Sequence, residues 1–210
     1  DPTQSRIVSG SWDCTLLLWD LAGPKHAIQN FSAHFAPVYC TDWCAAVPDN
    51  PLSGSQDCTA RVWTLTTAAA VHTVKMDFPV TSVAWDAEDT NTFAAGLEDG
   101  SVRLFDVRNL AAPTAAHLGL HKAPVHAVSF SATGNRLATG GDDGVVKVLA
   151  PGAEPCVHVF PLWVVWVFAA DTPASRRVLE GHTDYVRGVR WCGDTILSAS
   201  WDKSVRQWHL

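Results

Sequence analysis

The segment Ser9-Gly10-Ser11-Trp12-Asp13-Cys14-Thr15-Leu16-Leu17-Leu18-Trp19-Asp20 decides the fold, because its outline returns along the chain. Small residues lead to an Asp, and an apolar run then ends in a large side chain. The outline recurs as Ser53-Gly54-Ser55-Gln56-Asp57 leading to Trp63, and as Ala95-Gly96-Leu97-Glu98-Asp99 leading to Phe105. It returns as Thr139-Gly140-Gly141-Asp142-Asp143 leading to Leu149, and as Ser198-Ala199-Ser200-Trp201-Asp202 leading to Trp208. In all five the large residue follows the Asp by six positions. A fixed internal period of this kind marks a repeat architecture.

Upstream of three outlines a His is followed four residues later by a Val: His34 and Val38, His121 and Val125, His182 and Val186. Each pair opens a short run ending in an aromatic residue, namely Trp43, Phe130 and Trp191. The third repeat keeps the run (Val80, Val83, Trp85) but has Met76 where the His would stand. Apolar and polar residues alternate, with turn residues between short runs, so the chain reads as antiparallel strands. No segment carries helical periodicity.

Composition bounds the function. Of 210 residues 47% are hydrophobic and 17% charged, which describes a folded chain rather than a disordered one. The net charge of −6 and the absence of any Lys/Arg run longer than Arg176-Arg177 argue against direct contact with nucleic acid. The six cysteines (Cys14, Cys40, Cys44, Cys58, Cys156, Cys192) form no C-x-x-C pair, so neither a zinc site nor a disulfide framework is expected. No cofactor or metal is expected. The first residues, Asp1-Pro2-Thr3-Gln4, have no signal-peptide pattern. The apolar segment from Val157 to Ala170 is too short for a membrane-spanning helix, and its β-branched and aromatic residues favour core strands. No membrane insertion is expected.

The repeat breaks once. Leu149 to Trp208 spans 59 residues, whereas Trp166 to Trp208 spans 42, leaving 17 between Leu149 and Trp166. The spacing predicts that Val164 to Phe168 is the third strand of a blade lacking its first two. One domain is expected over 1–210, with repeats at 5–33, 34–75, 76–117, 118–160, a degenerate partial blade at 161–180, and 181–210. Since the first strand read is a second strand and the last a third, an incomplete ring of four to five blades from a larger parent is expected.

The Gly181-His182 and Trp19-Asp20 dipeptides, with 42 to 44 residues between equivalent strand ends, resemble the WD40 family. The resemblance implies an all-β propeller of antiparallel four-stranded blades around a channel. It also implies a buried network of turn Asp, His, strand hydroxyl and strand-end Trp. In repeat two these are His34, Ser53 or Ser55, Asp57 and Trp63. In the last they are His182, Ser198 or Ser200, Asp202 and Trp208. Repeat four keeps His121 and Asp143 but has Leu149 in place of the indole, and repeat one offers Asp13 and Trp19. Repeat three keeps only Asp99 and is expected to be the looser blade.

Ser, His and Asp together invite comparison with a hydrolase triad, but the trio recurs at one spacing in successive repeats, whereas catalysis needs a single constellation. No nucleophile elbow, P-loop, H-E-x-x-H or dinucleotide fingerprint occurs, and an enzyme is not expected. The resemblance places partner contacts at two loop positions per blade. One precedes the turn Asp: Trp12, Gln56, Glu98, Asp142, Trp201. The other flanks the opening Val: Tyr39, Thr81, His126, and the pair Tyr185 and Arg187. Trp, Tyr and Arg are the types enriched at binding hot spots. Trp12 and Trp201 are expected to meet as the ring curls round, and the rim should be mixed or acidic. The expected role is a non-catalytic interaction scaffold, intracellular and cytoplasmic ahead of nuclear, holding protein or peptide partners within a multi-subunit complex. The alternatives are a receptor for a peptide signal (peroxisomal import or ubiquitin-ligase substrates) and an RNA- or ribosome-associated propeller.

Overall fold

The structure, a computed structural model, describes residues 5–43, 47–133, 136–143, 146–149, 164–167, 177–180, 184–193 and 195–209. They form five sheets in chain order. The first holds β1 (Arg6–Gly10), β2 (Thr15–Asp20) and β3 (Gln29–Ser32). The second holds β4 (Val38–Asp42), β5 (Leu52–Ser55), β6 (Thr59–Trp63) and β7 (Ala70–Lys75). The third holds β8 (Val80–Trp85), β9 (Thr92–Leu97), β10 (Val102–Asp106) and β11 (Ala115–His117). The fourth holds β12 (Val125–Phe130), β13 (Leu137–Gly141), β14 (Val146–Leu149), β15 (Val164–Val167) and β16 (Arg177–Glu180). The fifth holds β17 (Val186–Cys192), β18 (Thr195–Ser200) and β19 (Val205–His209).

These are propeller blades. Strands β4, β8, β12 and β17 each pack on the next and jointly line a central cavity of about 550 Å3. Strand β1 packs on β4, but no comparable packing joins β17 to β1, so the ring is not closed. The core lies between blades rather than inside them. Leu16, Leu18, Phe31, Val38 and Trp63 fill the first gap. Leu52, Val62, Val80, Trp85 and Phe93 belong to the cluster in the second. Burial of such side chains against a neighbouring sheet is what a single blade cannot achieve alone.

The glycine in the first three outlines now has a cause. A Cβ on Gly10 would lie 2.6 Å from Val38 Cγ1, on Gly54 2.5 Å from Val80 Cγ1, and on Gly96 2.8 Å from Val125 Cγ1. Each glycine therefore receives the Val that opens the next blade. The turns are equally repetitive. The Asp57 carboxylate accepts the Thr59 N–H and hydroxyl at 3.0 and 2.6 Å, and Asp13, Asp99 and Asp202 hold Thr15, Ser101 and Ser204 in the same way. The residue after the Asp takes a left-handed backbone, with φ of 71° at Cys14, 61° at Cys58, 84° at Gly100 and 68° at Lys203.

The polar network forms as the repeat implies, and its hydroxyl in blade two is Ser53. Trp63 Nε1 donates to Ser53 Oγ at 2.8 Å. Ser53 Oγ lies 2.7 Å from His34 Nε2, and His34 Nδ1 lies 2.8 Å from Asp57 Oδ2. A carboxylate only accepts, so Nδ1 carries the proton and the hydroxyl donates to Nε2. Ser55 instead donates to the Ala36 carbonyl. In blade four His121 bridges Asp143 and Thr139 Oγ1. In blades one and five the indoles of Trp19 and Trp208 donate to Ser9 and Ser198. His182 lies outside the described residues.

Two expectations come out differently. Blade three is not looser: Met76, Ala95 and Phe105 are all buried where the others carry His, hydroxyl and indole, and Phe105 stacks on Phe93 at 5.4 Å. Replacing all the polar partners together leaves no orphan, and that exchange can be neutral. The 161–180 stretch also appears otherwise than as a partial blade. Its described parts, Val164–Val167 and Arg177–Glu180, are both strands of the fourth sheet, the first parallel to β14 through Val146 and Val165 and antiparallel to the second, β16.

The coordinated exchange makes a paired prediction. Ser53→Ala orphans both the Trp63 indole and the His34 ring, and should cost about 2 kcal/mol or more. Ala95→Ser buries a hydroxyl beside Met76 and Phe105, so it too should destabilise, by about 1–3 kcal/mol. Urea unfolding of both variants checks this, and a stabilising Ala95→Ser would contradict it.

Candidate functional site

The two kinds of rim position are tied together by the main chain. The Gln56, Glu98, Asp142 and Trp201 amides donate to the Pro37, Pro79, Pro124 and Tyr185 carbonyls, each at 3.0 Å. The next residue along is the Val received by the preceding blade's glycine in blades two to four, and after it the pairing register slips. The slips fall between Val38 and Cys40, Val80 and Ser82, Val125 and Ala127, and Val186 and Gly188. Tyr39, Thr81, His126 and Arg187 are thus the extra residues of four β-bulges. A bulge bends the strand and re-aims its side chain, which sets these four on the channel mouth.

Tyr39, Thr81, Glu98, Pro124, His126 and Arg187 line one cavity there, of about 370 Å3. Beside it, Asp142 Oδ2 joins two blades, lying 3.1 Å from His126 Nε2 and 3.2 Å from an Arg187 terminal nitrogen. The Arg187 guanidinium sits 4.8 Å from the Trp201 ring centre and 5.9 Å from that of Tyr185. The two rings meet edge to face at 5.9 Å. Both remain open to solvent, Trp201 at 60% and Tyr185 at 44% exposure. This is a cation held between aromatic faces and a carboxylate, an arrangement that rigidifies all three.

Other expected positions fare unevenly. Thr81 is buried, and its hydroxyl ties blade three to blade four by donating to the Val125 carbonyl at 2.6 Å. Gln56 is exposed and anchored only through its backbone. Trp12 is 79% exposed, and no described ring or cation lies against it; the expected neighbour of Trp201 is filled by Tyr185 and Arg187 instead. The rim charges are mixed, with Glu98 and Asp142 against Arg187. Sequence reasoning missed Asp42, deep in the channel, which accepts the Trp85 amide of the next blade at 2.7 Å. Ser129 and Trp191 repeat that bond two blade gaps further on, at 3.3 Å. Among the described residues no cluster of His, Cys, Asp or Glu could hold a metal, and no helix is long and apolar enough to cross a membrane.

A family model for the WD domain, G-beta repeat, matches residues 1–20, 25–64, 70–106, 114–148 and 174–209. The chain belongs to the WD40 family. The matches pass over 149–173, where the spacing breaks. Among curated proteins it is similar to the methylosome protein WDR77 of Xenopus laevis, 29% identical over 98% of this chain and 57% of that protein. The ribosome biogenesis protein WDR12 homolog of Drosophila yakuba is 27% identical over 97% of this chain and 39% of its own length. The E3 ubiquitin-protein ligase COP1 of Arabidopsis thaliana is 25% identical over 69% of this chain and 21% of its own length. This WD40 chain therefore spans between about a fifth and just over half of these relatives.

The site also titrates in a defined direction. Burial holds the His126 imidazole below its ordinary range; the Asp142 carboxylate opposes this and the Arg187 charge adds to it. Burial lowers His34 and His117 likewise. As pH falls below about 6.5 the unfolded chain takes up protons at these rings before the folded chain does, so stability declines. Buried Asp42 and Asp86, pushed upward by desolvation, work in the opposite sense nearer the carboxylate range. Between about pH 7 and pH 5, His126→Asn should make unfolding free energy less dependent on pH. An unchanged slope, read by urea unfolding at each pH, would contradict the depressed imidazole.

Proposed function

We propose that this chain is a non-catalytic scaffold, a subunit of a larger assembly that holds protein partners through the channel-mouth rim. One observation carries the reading. Four blades use the same pair of devices, an amide-to-carbonyl bond at 3.0 Å and an inner-strand bulge, to set a variable side chain beside the mouth. The side chains so placed differ in every blade, while the bond and the bulge that place them repeat. A surface that varies on a framework that repeats is built for selective contact.

Tyr185, Trp201 and Arg187 form the hot-spot end of this surface, offering flat apolar area that is already ordered. Two relatives point the same way, since their names describe a methylosome protein and a ribosome biogenesis protein. The mixed charge of the rim favours protein over RNA as the direct partner. A peptide-signal receptor is the second reading, favoured by the mouth cavity of about 370 Å3, which suits one inserted side chain.

The test separates docking from folding. Trp201→Ala should leave the melting temperature near that of the parent and weaken partner capture by about 2 kcal/mol or more. Asp202→Ala removes the acceptor for the Ser204 amide and hydroxyl, and should lower stability and weaken every partner alike. If Trp201→Ala unfolds the chain as severely as Asp202→Ala, or leaves all captured partners in place, Trp201 is packing and the rim reading fails.

A further inference from the structure

The mouth cavity has a polarity that docking alone does not require. Its hydrogen-bonding groups can be sorted by where their protons already go. Thr81 Oγ1 lies 2.6 Å from the Val125 carbonyl and 3.1 Å from the Gly96 carbonyl, so its one proton is committed to the backbone and toward any other group this oxygen can only accept. His126 Nε2 faces Asp142 Oδ2 at 3.1 Å, and a carboxylate supplies no proton, so Nε2 carries one. In the neutral ring Nδ1 is then an acceptor. Glu98 is exposed and has no ion-pair partner among the described residues. The cation on the wall, Arg187, is already matched by Asp142 at 3.2 Å and covered by the Trp201 ring at 4.8 Å.

The balance left over is one unmatched carboxylate and two neutral acceptors, beside the apolar faces of Pro124 and Tyr39. An anionic ligand would meet Glu98 with the local positive charge already neutralised. A purely apolar one would strip water from the carboxylate without replacing it, which is costly. A group with several N–H donors, a positive charge and an apolar stem satisfies every requirement. Lysine and arginine side chains are built that way.

Resting on the rim reading above, we propose that the mouth cavity is a recognition pocket for a lysine or arginine side chain of a partner segment. Glu98 supplies the counter-charge, and Thr81 Oγ1 and His126 Nδ1 accept hydrogen bonds from the entering head group. The aromatic cluster of Tyr185, Arg187 and Trp201 then contacts the flanking residues of the same segment.

The probes are capped Gly-X-Gly tripeptides with X as lysine, arginine, norleucine or glutamate, titrated against the whole chain by saturation-transfer NMR. The lysine and arginine probes should bind, and the norleucine and glutamate probes should not. Glu98→Gln should weaken the cationic probes about tenfold, as loss of a charged hydrogen bond does, without shifting the melting temperature. The pocket is overturned if neither cationic probe binds at millimolar concentration, if the glutamate probe binds equally, or if Glu98→Gln changes nothing. These outcomes are distinguishable from failure of the rim itself. Partner capture lost in Trp201→Ala but unaffected by Glu98→Gln removes the cation pocket alone, whereas capture indifferent to both removes the rim.

Discussion

The channel mouth in blades two to four depends on a glycine in one blade receiving a valine from the next. The gaps at Gly10 and Val38, Gly54 and Val80, and Gly96 and Val125 are too narrow for any Cβ. That contact sets how closely neighbouring inner strands approach. It also fixes the residue immediately before the bulge in blades two to four, so the bulged side chain emerges there at a determined height and direction. A looser gap would let the inner strand slide, and a shift of one residue turns every side chain to the opposite face. The site is therefore a consequence of blade spacing before it is a consequence of side-chain chemistry.

Blade spacing is reinforced by polar bonds that reach across the three gaps between blades two and five. Asp42 holds the Trp85 amide, Thr81 and Ser82 both reach the Val125 carbonyl, and Ser129 holds the Trp191 amide. The donors and acceptors alternate between side chain and main chain, so no single substitution opens a gap entirely. Hydrophobic clusters lying between blades add the larger share of the attraction, since each blade hides its apolar faces only against neighbours. Hydrogen bonds then choose the register that burial alone leaves loose.

The period was legible because it rests on turn chemistry and on a six-residue reach from Asp to a large side chain, both of which survive substitution elsewhere. The pairing of rim positions was legible for the same reason: Gln56 and Asp142 each stand one residue before the turn Asp, and Tyr39 and His126 each stand five residues after the His. What could not be read was direction. Ser53 and Ser55 are chemically identical and two apart on one strand, yet the first faces the His34 ring and the second the Ala36 carbonyl. Thr81 occupies a rim offset, but its hydroxyl is engaged by backbone. The placement of Val164–Val167 between β14 and β16 also escaped the period, because a parallel neighbour leaves no turn signal between the two strands. Blade three misled through chemistry: Met76, Ala95 and Phe105 each look like a loss when read singly, and only their common burial shows an exchange of one closed packing for another.

Adjacent residues in the turns have opposite fates, and that separation explains how one framework can serve different partners. Asp57 and Asp143 turn inward to a histidine, at side-chain exposures of 7% and 9%. Their predecessors Gln56 and Asp142 turn toward the rim. The left-handed residue that follows the Asp, such as Cys58, lets the tight turn close while the inward carboxylate stays fixed. Burial pushes the Asp57 carboxyl upward, but hydrogen bonds from Thr59, His34 and Phe35 outweigh it and keep the group ionised well into the acid range. The inward residue is thus constrained by three or more partners, whereas outward Gln56 is anchored by a single backbone bond and outward Asp142 is also held by His126 and Arg187. Substitution at the outward position changes what the mouth presents, while the bonds that hold the blade remain in place.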